Sequence, residues 1–223
     1  MGSAIGDILP LALGVAISPV PIIAAILMLL SPKAKGTSVG FLIGWVLGIV
    51  VAIVLFTLLA SVIPEQDPDA SKPIAGTIKI LLGAALLFLA LRQWRSRPKP
   101  GEDAALPKWM AAIDTMTAGK SFGLGFLLSA VNPKNLLMAI AAGVVIGTAG
   151  LTGGEITWAI VVFTLIAAST VAIPVIAYLL ASKRMAAPLE GLRTWLVQNN
   201  ATVMAVLLLV IGVVLIGKGL GSF

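Results

Sequence analysis

The sequence predicts an all-α protein that crosses a membrane several times. Of its 223 residues, 59% are hydrophobic and 11% are charged, and the mean hydropathy is +1.10. Soluble domains carry about 25% charged residues. Apolar runs longer than roughly 18 residues indicate membrane-spanning helices, and the chain contains several of them. Because these runs are continuous rather than alternating, they favour helices over a transmembrane β-barrel.

Six spans are predicted, arranged as two inverted repeats of three helices in which the first and fourth helices are broken. Their approximate bounds are 5–30, 37–63, 73–94, 122–148, 153–181 and 202–220. The first repeat occupies residues 1–95, a cytoplasmic connection occupies 96–121, and the second repeat occupies 122–223. Since the first and fourth spans enter from opposite sides, the repeats have inverted topology, which is a known way of building alternating access.

The connection between the repeats is predicted to contain a short helix that lies on the membrane surface. Trp109, Met110, Ile113 and Met116 recur at helical spacing, with polar residues between them. Such an amphipathic pattern is typical of an interfacial helix. A solvated loop with a few buried anchors gives the same pattern, and the sequence does not separate the two.

The distribution of lysine and arginine predicts the orientation of the spans. One side of the predicted membrane has three of these residues, Lys72, Lys79 and Lys218. The other side has eleven: Lys33, Lys35, Arg92, Arg95, Arg97, Lys99, Lys108, Lys120, Lys183, Arg184 and Arg193. Basic residues are enriched in cytoplasmic loops, so both termini are predicted outside. The first residues lack the cationic start of a signal peptide, and the first span is therefore retained. The same rule accounts for the net charge of +6 without a nucleic-acid partner.

Two proline motifs interrupt apolar spans at matching places. Residues 132–135 read Asn-Pro-Lys-Asn in the fourth span, and residues 18–21 read Ser-Pro-Val-Pro in the first. A proline inside a helix removes a backbone donor and clashes with the preceding turn, so each helix should break or kink there. Broken helices at corresponding positions of two halves are the best indication that a sequence gives of a transporter binding site.

Lys134 is the one ionisable residue deep within a predicted span, where a cation is costly and usually functional. A helix that restarts after a break presents unpaired N–H groups and the positive end of its dipole. Two such starts beside Lys134 suit a phosphate, sulfate or carboxylate group. Two other roles stay open for Lys134: a proton carrier, or a lysine paired with the carbonyl groups of a helix end. The candidate binding residues are Ser18, Pro19, Pro21, Asn132, Pro133, Lys134, Asn135, Ser169 and Thr170.

Two groups of small or hydroxyl-bearing residues have a packing interpretation beside a functional one. A glycine stripe in the second span predicts close helix packing, either inside the monomer or at the seam of a homodimer. In the fifth span, Ser169 and Thr170 precede Pro174, and their hydroxyls either satisfy carbonyl groups at a proline kink or line a cavity. The glycine stripe consists of Gly40, Gly44 and Gly48.

The residue inventory argues against an enzyme. The chain has no cysteine and no histidine, which excludes disulfides, thiol chemistry, most zinc sites and histidine proton relays. The sequence shows no catalytic triad, no metal-ligand cluster, no phosphate-binding loop and no paired carboxylates at membrane depth. We therefore predict no enzymatic activity, no metal and no cofactor.

With these motifs placed, the chain resembles the lysine-exporter (LysE) superfamily in its six spans and its two proline breaks. Segments 107–114 (PKWMAAID) and 123–136 (GLGFLLSAVNPKNL) make it similar to the glycolipid-addressing protein (GAP) branch. It departs from the amino-acid exporters, which usually have Pro-Gly-Pro in the first span, and from the redox branches, which need cysteines. The resemblance implies a plasma-membrane protein of mycobacterial-type bacteria that moves envelope glycolipids, such as sulfolipids and glycopeptidolipids, toward the cell surface.

Three functions follow, in decreasing order of support. The first is a transporter that moves an envelope (glyco)lipid or a lipid-linked anionic headgroup across the plasma membrane. The second is an exporter of amino acids or other small organic anions. The third is a non-transporting membrane adaptor for glycolipid synthesis or export machinery, which the basic connection suggests. The sequence does not identify the lipid, the energy source or the direction of transport, and it leaves a homodimer open.

Overall fold

In a computed structural model, the chain is almost entirely helical over the residues that the structure describes: 1–62, 73–97, 110, 113 and 115–223, apart from the side chain of Lys183. The helices are α1 (Gly2–Ala16), α2 (Pro19–Leu30), α3 (Ala34–Ala60), α4 (Pro73–Arg95), α5 (Ala118–Ala130), α6 (Pro133–Gly147) and α7 (Gly153–Leu220). The backbone leaves the helical conformation at Ala181, so α7 has two parts, Gly153–Ser182 and Arg184–Leu220.

Most of these helices are long and apolar enough to cross a membrane. Helices α3 and α4 and both parts of α7 meet that description individually. Helices α1 and α2 meet it only as a pair, bent by 50°, and so do α5 and α6, bent by 58°. The described residues therefore contain four to six candidate spans, and the bends lie at the two proline motifs. The prediction of an all-helical, multi-pass membrane protein is confirmed.

The starts of the helices follow ordinary capping chemistry. A proline occupies the first position of both α2 and α6, where a missing N–H leaves no helical partner unsatisfied. Helix α7 starts with a capping box, in which Thr152 accepts a hydrogen bond from the backbone of Glu155 and the Glu155 carboxylate accepts one from the backbone of Thr152. Each of the two proline motifs therefore separates two helices.

The glycine stripe of α3 packs against α5 within the chain. A Cβ on Gly44 would meet the backbone of Phe122 near the start of α5, because the two helices approach so closely. Near the other end of α3, a Cβ on Gly147 of α6 would meet the backbone of Thr57. Helices α5 and α6 together thus run parallel to α3 along nearly its whole length. The stripe serves packing inside the monomer.

Helix α4 packs against the second part of α7 through two pairs of glycines. Gly83 lies against Gly212, and Gly76 lies against Gly219. In each pair, a Cβ on one glycine would come within about 3 Å of the carbonyl oxygen of the other, so the helix backbones are in direct contact. Because the pairing reverses the order along the chain, the two helices are antiparallel.

One predicted loop is helical instead. The predicted last span covers 202–220 with a loop before it, but the helix already begins at Arg184. Basic residues and Pro188 made this stretch resemble a loop. However, Leu189 and Leu196, which are about two helical turns apart, are both buried in the apolar core. One face of the stretch therefore packs as a helix, and the predicted loop was wrong.

Most of the central connection lies outside the described residues, including Trp109 of the predicted interfacial helix. Met110 and Ile113 are buried in the same apolar core as Leu189, and Met116 packs against that core. These residues anchor the connection to the helices. The interfacial helix itself stays a prediction.

The two ends of the chain lie close together. Lys218, near the end of α7, forms an ion pair with Asp7 of α1, with 2.6 Å between the nitrogen and the oxygen. Both side chains are partly exposed. The ion pair thus joins the first helix of the chain to the last one.

Candidate anion-binding site

At the first break, a carbonyl group at the end of α1 accepts a hydrogen bond from a distant part of the chain. Helix α1 ends at Ala16, and the last carbonyl groups of a helix have no partner within it. The Ala16 carbonyl accepts hydrogen bonds from the backbone N–H of Ser18 at 2.8 Å and from the Thr170 hydroxyl at 2.5 Å. Thr170 belongs to α7, so a distant helix caps α1. The Ser18 side chain makes no capping hydrogen bond to α2.

At the second break, side chains of the Asn-Pro-Lys-Asn motif itself form hydrogen bonds with the exposed backbone groups of α5 and α6. Asn132 Oδ1 accepts a hydrogen bond from the backbone N–H of Lys134 at 3.1 Å, which caps the start of α6. Asn135 Nδ2 donates to the carbonyl of Leu128 at 2.9 Å, near the end of α5. One asparagine therefore starts a helix, and the other fills an open carbonyl of the preceding helix.

Lys134 joins the two breaks. Its ammonium group donates to the carbonyl of Gly14, in the last turn of α1, at 2.5 Å, and the residue is 3% exposed. The negative end of the α1 dipole favours a cation at this position. A Cβ at Gly14 would come within 2.5 Å of the Ile211 side chain and close to Met138, so these two side chains would have to shift to admit one. This is the pairing with helix-end carbonyls that the sequence left open for Lys134.

A cavity of about 410 Å³ lies beside both breaks. Its inner end includes Ser18 and Lys134, which are buried, and its outer end includes Arg92 and Ser96, which are exposed at the end of α4. The cavity therefore connects the protein surface with the buried ammonium group. It is lined by Ser18, Val20, Leu89, Arg92, Gln93, Ser96, Asn132, Pro133, Lys134, Asn200, Met204 and Leu208.

The charge of this cavity is positive. Lys134 and Arg92 are cations, and no carboxylate is among the lining residues. The carboxylates in the described part of the chain are engaged elsewhere: Asp7 with Lys218, Glu190 with Arg193, and Glu155 with Thr152. Burial of a charge is costly unless the charge is paired and hydrogen-bonded. The arrangement is therefore suited to receive an anion.

Comparison with known families gives a match that spans nearly the whole chain. The sequence model of the SfLAP family (Sap, sulfolipid-1-addressing protein) matches residues 8–221. The chain belongs to the SfLAP family. The matched range contains both breaks and every residue that lines the cavity, and it confirms membership of a glycolipid-addressing family. No curated protein and no solved structure matches the chain.

The predicted binding residues of this SfLAP-family protein fall into two groups. Four of them line the cavity: Ser18, Asn132, Pro133 and Lys134. Asn135 and Thr170 instead cap helix ends, and the Ser169 hydroxyl donates to the carbonyl of Ile166 in its own helix at 2.7 Å. Asn135 and Thr170 hold the helices in place beside the cavity, whereas Ser169 bonds only within α7. A role in binding stays a prediction for all of these residues.

Pro19 and Pro21 shape the first break. Both are buried in the first turn of α2, and neither lines the cavity. Since proline has no N–H, the first three positions of α2 carry a single N–H group, that of Val20, which does line the cavity. The start of α2 thus offers fewer backbone N–H donors than a helix start normally does, and fewer than predicted for it.

Some lining residues were not singled out as site residues from the sequence. Arg92, Gln93 and Ser96 come from the end of α4, where Arg92 was used only to predict orientation. Their spacing from Leu89 puts them on one helix face, which was the available signal. Asn200 fell in the stretch predicted as a loop. Its Oδ1 is buried without a hydrogen-bond partner among the described residues.

The donors of the SfLAP cavity are ammonium, guanidinium, amide and hydroxyl groups. Such groups bind oxyanions and sugar hydroxyls through hydrogen bonds. Among the described residues, no group of three or more Asp, Glu, His or Cys side chains is placed to hold a metal ion. The chemistry that these residues can perform is therefore recognition of a polar, negatively charged group.

Proposed function

We propose that the protein is a transporter that moves an envelope glycolipid, or another lipid with an anionic headgroup, across the bacterial plasma membrane. The observation that carries the proposal is the buried Lys134 ammonium in a cavity that also contains Arg92 and no carboxylate. Hydrogen bonds between such cations and sulfate, phosphate or carboxylate are roughly twice as strong as neutral ones. The family, described as sulfolipid-addressing, supports a lipid as the substrate.

The packing of α3 supports six crossings in two inverted repeats. Helix α3 is long enough to cross the membrane alone, and α5 and α6 together accompany it along nearly its whole length. A re-entrant pair of helices would turn back part-way instead. If α5–α6 and α1–α2 are each one broken span, the chain has the 3+3 arrangement of the LysE superfamily that it resembles. The two breaks then meet at Lys134, as expected of a transporter site.

The surroundings of the cavity suit an amphiphilic substrate. An apolar groove of about 320 Å³ lies along α4 and α7, two of the helices that line the cavity at the breaks. It is lined by Leu87, Ala90, Leu91, Trp94, Ala205, Val206 and Leu209. We propose that the headgroup occupies the cationic cavity while acyl chains lie on the apolar surface of these helices, in contact with the bilayer.

The position of the opening supports loading from the cytoplasmic side. Arg92 and Ser96, at the outer end of the cavity, belong to the face that the distribution of basic residues predicts as cytoplasmic. On the opposite face, the ion pair between Asp7 and Lys218 ties α1 to α7. A cavity that is open toward the cytoplasm is the state expected before export.

The test of this function is lipid translocation in liposomes that contain the purified protein. Sulfatide with a fluorescent NBD acyl chain is placed in both leaflets, and dithionite, which does not cross the membrane, quenches only the outer leaflet. The protein should raise the quenched fraction for sulfatide more than for galactosylceramide, which lacks the sulfate. The assay is run with and without an imposed proton gradient. If the protein moves neither lipid, with or without the proton gradient, the proposal is contradicted.

A matched pair of arginine variants tests the site in the same assay. Arg92 and Arg95 are both exposed in the last turn of α4, but only Arg92 lines the cavity. We expect Arg92→Gln to slow sulfatide translocation by roughly fivefold to tenfold, because a charge-assisted hydrogen bond is lost. Arg95→Gln should stay within about twofold of wild type, as expected for an exposed charge with no contact to the ligand. Equal effects of the two changes would exclude Arg92 from the site.

Export of a small organic anion is the second candidate, and the size of the cavity favours it. Sites for small molecules usually measure about 300–1,000 Å³, and the cavity of about 410 Å³ has room for an amino acid. Efflux of labelled amino acids from the same liposomes, without lipid translocation, would favour this function. Inactivity in both assays would favour a membrane adaptor for glycolipid assembly.

A further inference from the structure

A second cavity lies at the turn between α2 and α3 and shares no residue with the cavity at the breaks. Its volume is about 670 Å³. The start of α5 and the end of the first part of α7 complete its walls, so four helices meet there. Nothing in the proposed transport site uses these residues.

The wall of this second cavity carries cations and hydroxyl groups but no carboxylate. Lys33 and Lys35 are exposed, and neither ammonium group forms a hydrogen bond or an ion pair in the described part of the chain. The hydroxyl groups of Tyr178 and Ser182 likewise have no hydrogen-bond partner there. These two ammonium and two hydroxyl groups are therefore available to a ligand.

Two helix starts add to the positive potential of the lysines. Ala34 begins α3 and Ala118 begins α5, and both residues line the cavity. The start of a helix carries a partial positive charge. At α3 the capping position is held by Lys33, whose side chain cannot accept a hydrogen bond, so no side chain caps these N–H groups. The cavity, the lysines and the helix starts all favour a negatively charged ligand.

The depth of the cavity matches the level of lipid headgroups. Lys33 precedes α3 and Lys35 lies in its first turn, where one candidate span ends and the next begins. Tyr178 lies close to the end of the span Gly153–Ser182. Tyrosine is enriched where spans meet the membrane surface, and lysines just beyond a span attract anionic lipids. A lipid phosphate in this leaflet therefore lies at the same depth as the two ammonium groups.

We propose that the second cavity binds the phosphate group of an anionic phospholipid from the leaflet on the predicted cytoplasmic side. Lys33 and Lys35 hold the phosphate through charge-assisted hydrogen bonds, and Tyr178 donates a neutral one. This lipid is bound by the transporter rather than carried by it, since the site lies apart from the two breaks.

The experiment measures the thermal unfolding midpoint of the purified full chain in detergent while phosphatidylglycerol is titrated. The midpoint should rise and saturate with phosphatidylglycerol, and it should change little with phosphatidylcholine or inorganic phosphate. The double variant Lys33→Gln, Lys35→Gln should need roughly 25-fold more phosphatidylglycerol, because each of the two lysines near an anionic lipid strengthens binding by about fivefold. The control, Arg95→Gln with Arg97→Gln, removes the same charge from the same face and should titrate like wild type.

A milder variant guards the test against misfolding of the lysine variant. Tyr178→Phe keeps the ring and removes only the hydroxyl, and it should weaken the titration by about threefold. The proposal is wrong if both double variants weaken the titration equally, since that would be a general effect of surface charge. It is also wrong if phosphatidylglycerol has no effect, or if inorganic phosphate alone raises the midpoint as much, which would assign the cavity to a soluble anion.

Discussion

The two broken spans begin their second helices with the same residue, proline, but their exposed helix ends are stabilised differently. At the second break, Asn132 caps α6 and Asn135 binds a carbonyl of α5, so the motif satisfies both of its own helices. The first break has no such side chains. Its exposed carbonyl groups in α1 accept hydrogen bonds from Lys134 and Thr170, which both belong to the second half of the chain.

This difference shows that the two halves of the chain contribute unequally to the breaks and to the cavity beside them. The second half supplies the buried cation Lys134, the capping asparagines and the long-range caps. The first half supplies carbonyl acceptors, the buried Ser18, and Arg92 and Gln93 from the end of α4. Because Lys134 touches α1 and also lines the cavity, any ligand that draws its ammonium group away from Gly14 also weakens the end of α1. If the proposed substrate binds here, its binding would therefore be coupled to the geometry of the first break.

The largest effect on the comparison should come from helix α3, which packs along α5 and α6 on both sides of the second break. A valine at Gly44 would push α5 away from α3, because the atom it meets is backbone of Phe122 rather than a movable side chain. Overpacking of this kind costs about 1–3 kcal/mol, and we expect Gly44→Val at or above the upper end. The measurement is the thermal unfolding midpoint in detergent. Gly217→Val is the control, since a Cβ there meets nothing within 4 Å, and an equal loss in both variants would contradict this packing.

A smaller effect on stability, but a larger one on function, is expected for Lys134→Met. The first break loses the cap on the Gly14 carbonyl, which should cost about 1–3 kcal/mol, while the second break keeps both of its asparagine caps. Thermal unfolding reports the stability loss, and the sulfatide assay reports the loss of translocation. Lys120→Met, at an exposed lysine of α5, should leave both unchanged. If Lys134→Met unfolds at the same temperature as wild type, the capping role is wrong.

The smallest effect is expected from two adjacent residues of α7, Thr170 and Ser169. Thr170 caps a distant helix, whereas Ser169 forms a hydrogen bond within α7. Thr170→Val keeps the shape of the side chain but removes the hydrogen bond to Ala16, and it should destabilise the protein by about 1 kcal/mol. Ser169→Ala removes a hydrogen bond within α7 and should cost less than half as much. Both unfolding midpoints are measured under the same conditions. A larger loss for Ser169→Ala would mean that α7 does not stabilise the first break.

Features encoded within one stretch of sequence were predictable, whereas contacts between helices were not. Apolar runs and prolines act locally, so the sequence predicted the spans and the positions of both bends. The buried charge of Lys134 was visible because no other ionisable residue lies so deep in a predicted span. Its partner Gly14 was not, because that contact depends on how α1 and α6 meet. Asn200 was missed because basic residues concealed the helix that places it beside the cavity.

The measurement that tests the central claim most directly is the binding of sulfatide and galactosylceramide to the purified protein, followed by native mass spectrometry. The two lipids differ by the sulfate group alone. If Lys134 recognises an anionic headgroup, wild type should bind sulfatide about tenfold or more tightly than galactosylceramide, as expected for a hydrogen bond to a charged group. In Lys134→Met, the ratio of the two affinities should fall to about a third of its wild-type value or lower. Equal binding of both lipids by wild type, or an unchanged preference in Lys134→Met, would contradict the account.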